Sequence, residues 1–198
     1  MSVEVSNVEP KEVWKNFVLL NEVPRPSKKE DRVIEFLISF ATKNNLMYKQ
    51  DEVGNLVIVK ESTPDMITRE TVVLQSHVDM VHEKNNDVEF DFLNSGIKMY
   101  VDGDWVKADG TTLGADNGLG VAAIMAILES NEISHPKIEA LFTIDEETGM
   151  TGALNLSDTI LTGKILLNLD TSPNEIEKIV KEAEKIERDS NQILDFTK

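Results

Sequence analysis

The spacing of apolar and polar positions divides the first part of the chain into two helices and two strands. From Pro10 to about Asn21, Val13, Phe17 and Leu20 fall on one helical face, and proline suits the start of a helix. Pro24-Arg25-Pro26 forces an extended break. Ser27-Lys28-Lys29-Glu30 has capping-box spacing, and Val33, Ile34, Leu37, Phe40 and Ala41 recur at helical period up to Asn44-Asn45. Met47 to Glu52 and Leu56 to Lys60 read as strands joined through Gly54-Asn55.

After a loop from Glu61 to Glu70, Thr71-Val72-Val73-Leu74-Gln75-Ser76-His77-Val78-Asp79 begins as a β-branched run and ends in a histidine and an aspartate. Residues i and i+2 of a strand share a face, so His77 and Asp79 are expected side by side at its carboxyl end. A polar stretch follows. Ile97 to Val101 and Asp104 to Ala108 then flank Asp102-Gly103, the signature of a type I′ hairpin. Thr111 to Gly120 reads as a glycine-bearing loop opening a buried helix from Val121 to Leu128. Lys137 to Ile144 and Ile165 to Leu169 are two more apolar strands, running into Asp145-Glu146-Glu147 and Asp170.

Each of these acids has an ordinary role on its own: Asp116 as a helix cap, Asp145 to Glu147 as a solvated loop. The repetition changes the balance. Three apolar strands each deliver a histidine or acid at their carboxyl ends, where ligands of α/β sheets collect, and Asp116 sits at a loop-to-helix junction. A histidine beside a carboxylate is a common pair at metals, the acid fixing the ring's tautomer and orientation. The pattern therefore points to a cation pocket.

Composition narrows the chemistry. The chain has 198 residues, 40% of them hydrophobic, enough for one folded domain or slightly more. It has no cysteine, which leaves histidine and carboxylates as the only metal ligands and excludes disulfides. A formal net charge of −16 argues against nucleic acid or anionic membranes as partners, because phosphate needs a cationic surface. The acidic amino terminus carries no export signal and no apolar run is long enough for a membrane span, so a cytoplasmic location is expected.

Four ordered motifs also carry a resemblance. Ser76-His77-Val78-Asp79-Met80-Val81, Gly110-Thr111-Thr112-Leu113-Gly114-Ala115-Asp116-Asn117-Gly118, Asp145-Glu146-Glu147-Thr148-Gly149-Met150 and Leu167-Asn168-Leu169-Asp170 resemble the motifs of the aminoacyl-histidine dipeptidases. These are also called Xaa-His or cytosol non-specific dipeptidases, and belong with the cocatalytic zinc peptidases. The similarity runs from about Glu9 to Thr171 and takes in Val13-Trp14, Pro24-Arg25-Pro26-Ser27 and the Asp102-Gly103 hairpin.

The resemblance implies hydrolysis of dipeptides with a free N-terminus. It makes His77 and Asp170 ligands of one metal, Glu147 a ligand of the other and Asp116 the bridge between them. Asp79 orients His77, and Glu146 is general base and later acid. Two Zn²⁺ ions are expected, with Mn²⁺ or Co²⁺ as alternatives compatible with nitrogen and oxygen donors. A pair of such ions can lower a water's pKa and polarise the scissile carbonyl. The partner is then a short peptide, with a homodimer as a further expectation.

The expected fold is α/β: a three-layer sandwich with a mixed, mainly parallel sheet, incomplete relative to the family. Residues 1–171 are assigned to the catalytic portion and 172–198 to a segment outside the family pattern. Ser172-Pro173 predicts a helix start, and Ile176, Ile179, Val180, Ala183 and Ile186 an apolar stripe. The family places a further domain and a second terminal histidine after the last aspartate. The alternative reading is therefore a metal-binding or interaction protein that is weakly active or inactive, lacking that ligand and the covering domain.

Overall fold

The computed structural model of this chain describes residues 3–170. At its centre lies a five-stranded sheet. Its strands are β1 (Met47–Gln50), β2 (Leu56–Lys60), β3 (Val72–His77), β6 (Ile138–Thr143) and β7 (Ile165–Asn168), in the spatial order β1-β2-β6-β3-β7. β2 is antiparallel to both β1 and β6, whereas β3 is parallel to both β6 and β7. Four strands thus share one direction and β2 opposes them. The sheet is mixed and mainly parallel, as the sequence predicts.

One face of the sheet is covered by helices α2 (Asp31–Lys43) and α3 (Ala115–Glu129). Val33, Ile34, Leu37 and Ala41 of α2 meet Leu56, Ile58, Leu74, Ala140 and Phe142 of the strands, with Val121, Ile124, Met125 and Leu128 of α3 closing the cluster. Burying each large side chain in it contributes about 1.5–3 kcal/mol. The alternate strand residues Val57, Val59, Val73 and Leu141 face the other way and pack against Ile160, beside Leu156 and Leu161. Short helices α4 (Glu146–Gly149) and α5 (Thr151–Leu154) precede that loop. The period of two in β2 and β3 therefore supplies both layers.

Helix α1 (Lys11–Asn21) contributes Leu20 to this core and packs along α3. With Val5, Met80, Ile97, Met99 and Ala122 it builds a second apolar cluster under the hairpin of β4 (Met99–Asp102) and β5 (Trp105–Ala108). In that hairpin Asp102 pairs with Trp105, so the two loop residues are Gly103 and Asp104. Only Gly103 of the two has positive φ. A type I′ turn needs both, so this turn follows the glycine-first pattern, one residue later than the sequence suggests.

The Ser27 capping box also differs. Helix α2 starts at Asp31 with Glu30 in the cap position and no side-chain cap bond. Ser27 donates instead to Asp79 Oδ2 at 2.8 Å, and Glu30 Oε1 accepts the backbone N–H groups of Lys28 (2.7 Å) and Asp145 (3.1 Å). A buried carboxylate across the fold outcompetes the local cap, because charge-assisted bonds are the stronger ones. The helix predicted from Ser172 lies outside the described residues.

Candidate active site

The carboxyl ends of β3, β6 and β7 lie at one edge of the sheet, as their parallel register requires. His77 closes β3 and is 1% exposed. Its Nδ1 lies 3.2 Å from Asp79 Oδ1 and 3.1 Å from the Asp79 carbonyl oxygen. Its Nε2 faces outward, 3.2 Å from Asp116 Oδ1, 3.8 Å from Asp170 Oδ2 and 3.9 Å from Glu146 Oε2. Held at Nδ1, the ring can offer Nε2 alone to a ligand.

Asp116 reaches this point because α3 does not begin as a regular helix. Gly114, at φ 69°, turns the chain, and Asp116 and Asn117 keep non-helical angles before the helix settles. Asp116 therefore does not serve as an ordinary cap; its side chain is 74% exposed and aimed at His77. Buried Asn117 accepts a 2.7 Å bond from Ser76 Oγ, which ties the loop to β3.

Glu146 and Glu147 are placed by a left-handed residue. Asp145 has φ 51° and ψ 45°, a conformation that aspartate tolerates better than most residues. Its carboxylate is bonded by the hydroxyls of Thr148 and Thr151, and its N–H by Glu30. After this turn the N–H groups of Glu146 and Glu147 both point back to Asp79, at 3.0 and 3.2 Å. One fully buried carboxylate thus holds the histidine, both glutamates' backbone and Ser27.

Two sets of donor atoms lie within 4.8 Å of one another: His77, Glu146 and Asp170, and His77, Asp116 and Glu147. All six residues singled out from the sequence, His77, Asp79, Asp116, Glu146, Glu147 and Asp170, therefore converge. A third group at similar separation, Glu30, Asp79 and Asp145, is buried, and its oxygens are occupied by N–H and O–H donors. It serves the fold of the site. Sequence reasoning missed the roles of Arg25, Ser27 and Glu30. Local rules read Pro24-Arg25-Pro26 as a break and Ser27-Lys28-Lys29-Glu30 as a capping box.

The electrostatics are those of crowded acids. Burial pushes the Glu146, Glu147 and Asp170 carboxyls above their ordinary range, and neighbouring carboxylates, Asp116 among them, push further. Burial would lower the His77 imidazole, but the bond and charge of Asp79, with Asp170 and Asp116, outweigh it and raise its pKa to about 9. Asp79 stays low: burial opposes its charge, and the bonds from His77, Glu146 N–H and Ser27 more than compensate. An imidazole facing several carboxylates, with nitrogen and oxygen donors and no sulfur, is a donor set that fits divalent Zn²⁺, Mn²⁺ or Co²⁺. A cation there would relieve the repulsion that raises the acids.

Peptidase family M28 matches residues 55–195. The cytosol non-specific dipeptidase of Escherichia coli K12 is 42% identical over 168 residues, covering 85% of this chain and 35% of that protein. Among solved structures, an aminoacylhistidine dipeptidase from Vibrio alginolyticus matches with TM-score 0.83 and 46% identity, over 85% of this chain and 34% of its own. The aminopeptidase PepT from Bacillus cereus matches with TM-score 0.70 and 25% identity, over 83% and 44%. The chain thus spans about a third of the length of the two dipeptidases.

Proposed function

The chain belongs to peptidase family M28, and from that premise we propose that its site hydrolyses dipeptides with a free N-terminus, of the Xaa-His type, using two divalent metal ions. The observation that carries this reading is the convergence of four carboxylates, Asp116, Glu146, Glu147 and Asp170, around His77 in two overlapping donor sets, more ligand groups than one ion needs.

In this reading His77 and Asp170 would hold one ion, Glu147 the other, and Asp116 would serve both. Zn²⁺ is the expected metal. The ions, when bound, supply Lewis acidity toward the scissile carbonyl and acidify a water. The residues do the rest. Asp79 keeps the His77 proton on Nδ1, so that Nε2 is free to donate its lone pair. Glu146 takes a proton from the attacking water on its carboxylate and returns it to the leaving amine. Burial and neighbouring acids raise its proton affinity toward the range that such a base needs. The exposed side of Asp116 leaves the approach to the pocket open for a short peptide.

A homodimer is supported by β7, an edge strand among the described residues whose Ile165, Leu166 and Leu167 are all exposed. A cytoplasmic location is supported by the cytosolic name of the Escherichia coli relative; no helix of the described residues is long and apolar enough to cross a membrane. The division at residue 171 belongs to the same proposal.

A second reading, a metal-binding domain with little turnover of its own, is favoured by the other histidines. His82 packs its ring 5.7 Å from that of Phe92, and His135 Nδ1 sits 2.7 Å from the Pro136 carbonyl oxygen. Neither is in the pocket's donor sets, so His77 is the only imidazole in those sets. Hydrolysis of a Xaa-His dipeptide by the purified, Zn²⁺-loaded chain separates the two readings. Turnover abolished by chelation and by Glu146→Ala supports the peptidase; ions bound without turnover support the second.

A further inference from the structure

The cation pocket has two halves that are far apart in sequence: the end of β3, carrying His77, and the loop before α3, carrying Asp116. A third segment bonds to both of them. Arg25 is 1% exposed, an extreme burial for a guanidinium. Its Nη1 donates to the carbonyl oxygens of Val78 (3.1 Å) and Asp79 (3.4 Å), immediately after His77. Its Nη2 donates to the Gly114 carbonyl oxygen (2.6 Å), two residues before Asp116, and to Asn21 Oδ1 (3.0 Å). Asn21 in turn donates to the Leu113 carbonyl oxygen at 3.0 Å. The backbone of Arg25 joins the same strand extension, its carbonyl accepting Met80 N–H at 3.1 Å.

The surroundings are shaped to this fork. A Cβ at Gly114 would stand 2.4 Å from Nη2, and one at Gly118 2.5 Å from the same atom. Glycine at both positions lets the loop close onto the guanidinium. We propose that Arg25 is a positioning residue of the cation pocket, a planar brace that sets the distance between His77 and Asp116 and so the separation at which two ions can share the site. The inference rests on the two-ion reading above. A lysine cannot replace this arrangement, because an ammonium is a point charge on a flexible stem and cannot serve both segments with one rigid fork.

The test uses the full chain and Co²⁺ alone as the probe, titrated at 10 °C and followed by calorimetry and the visible spectrum of the bound ion. Wild-type chain is expected to bind two Co²⁺. Arg25→Lys is expected to remain folded by circular dichroism, to bind Co²⁺ about 10–100-fold more weakly and to show an altered spectrum, since supporting residues typically act on metal affinity at that level. Asn21→Ala, which removes one partner of the guanidinium, is expected to weaken binding in the same direction by less; it carries the test if the lysine variant does not fold. Lower melting temperatures with unchanged Co²⁺ affinity and spectrum would overturn the inference and leave the two-ion reading standing. A wild-type chain that binds no Co²⁺ overturns both.

Discussion

Asp79 accepts the backbone N–H of Glu146 at 3.0 Å while its other contacts hold His77, Ser27 and Glu147. The buried acid thereby fixes the relative position of His77 at the end of β3 and Glu146 at the start of α4, the proposed metal ligand and the proposed general base. Because Asp79 acts on both, its removal should reach further than loss of one ligand contact. Asp79→Asn keeps the shape but loses the charge that fixes the His77 tautomer. We expect Zn²⁺ affinity to fall about 10–100-fold, measured by competition with a chelating dye.

Glu146 has a separable role. Glu146→Gln preserves size and leaves His77, Asp116, Glu147 and Asp170 in place. The account predicts bound ions with nearly unchanged affinity, and hydrolysis of a Xaa-His dipeptide reduced by about 10²–10⁴-fold. Equal loss of metal and activity would make Glu146 a ligand first.

Proton and metal compete at His77. With a folded pKa near 9 against an ordinary 6.5, the metal-free imidazole is charged at neutral pH and must lose its proton when an ion binds. Metal affinity is therefore expected to rise with pH up to about 9, with proton release visible as a buffer-dependent heat in calorimetry. Stability of the metal-free chain moves the other way. A raised folded pKa contributes stability that is complete below the unfolded value and is lost as pH rises through the folded one. The melting temperature of the chelated protein should fall between about pH 6.5 and 9, and loaded protein should not follow it.

Ser27 distinguishes a helix cap from a support of the site. A lost cap would cost α2 about 1 kcal/mol with no effect on ions. The bond from Ser27 to Asp79 predicts a larger change for Ser27→Ala, about 1.5–3 kcal/mol for a bond to a charged acceptor, together with weaker Zn²⁺ binding. Denaturant melts with and without metal read both. Phe142→Ala, in the core between sheet and helices, is the contrasting case: about 3–5 kcal/mol of stability.

The features of sequence that proved legible were those with a period. The runs ending at His77, Thr143 and Asn168 are strands because their apolar residues are consecutive and bounded, and parallel pairing then brings their ends together. Local chemistry was less reliable wherever a distant partner competed. Ser27 and Glu30 have capping spacing, yet Ser27 turns to the Asp79 carboxylate and Glu30 to the backbone N–H of Asp145, 52 and 115 residues later in the chain. Asp102-Gly103 marks a turn correctly, but cross-strand pairing of Asp102 with Trp105 moved the turn by one residue. The contacts of Arg25 were invisible because all but the one to Asn21 go to main-chain oxygens, which carry no residue signature.

The most direct measurement is the number of ions the purified chain holds, by elemental analysis after equilibration with Zn²⁺ and removal of the excess. The account predicts two per chain, with Asp116→Asn losing both because that carboxylate lies between them. A chain that retains none, or one ion indifferent to His77→Ala and Asp116→Asn, would contradict it.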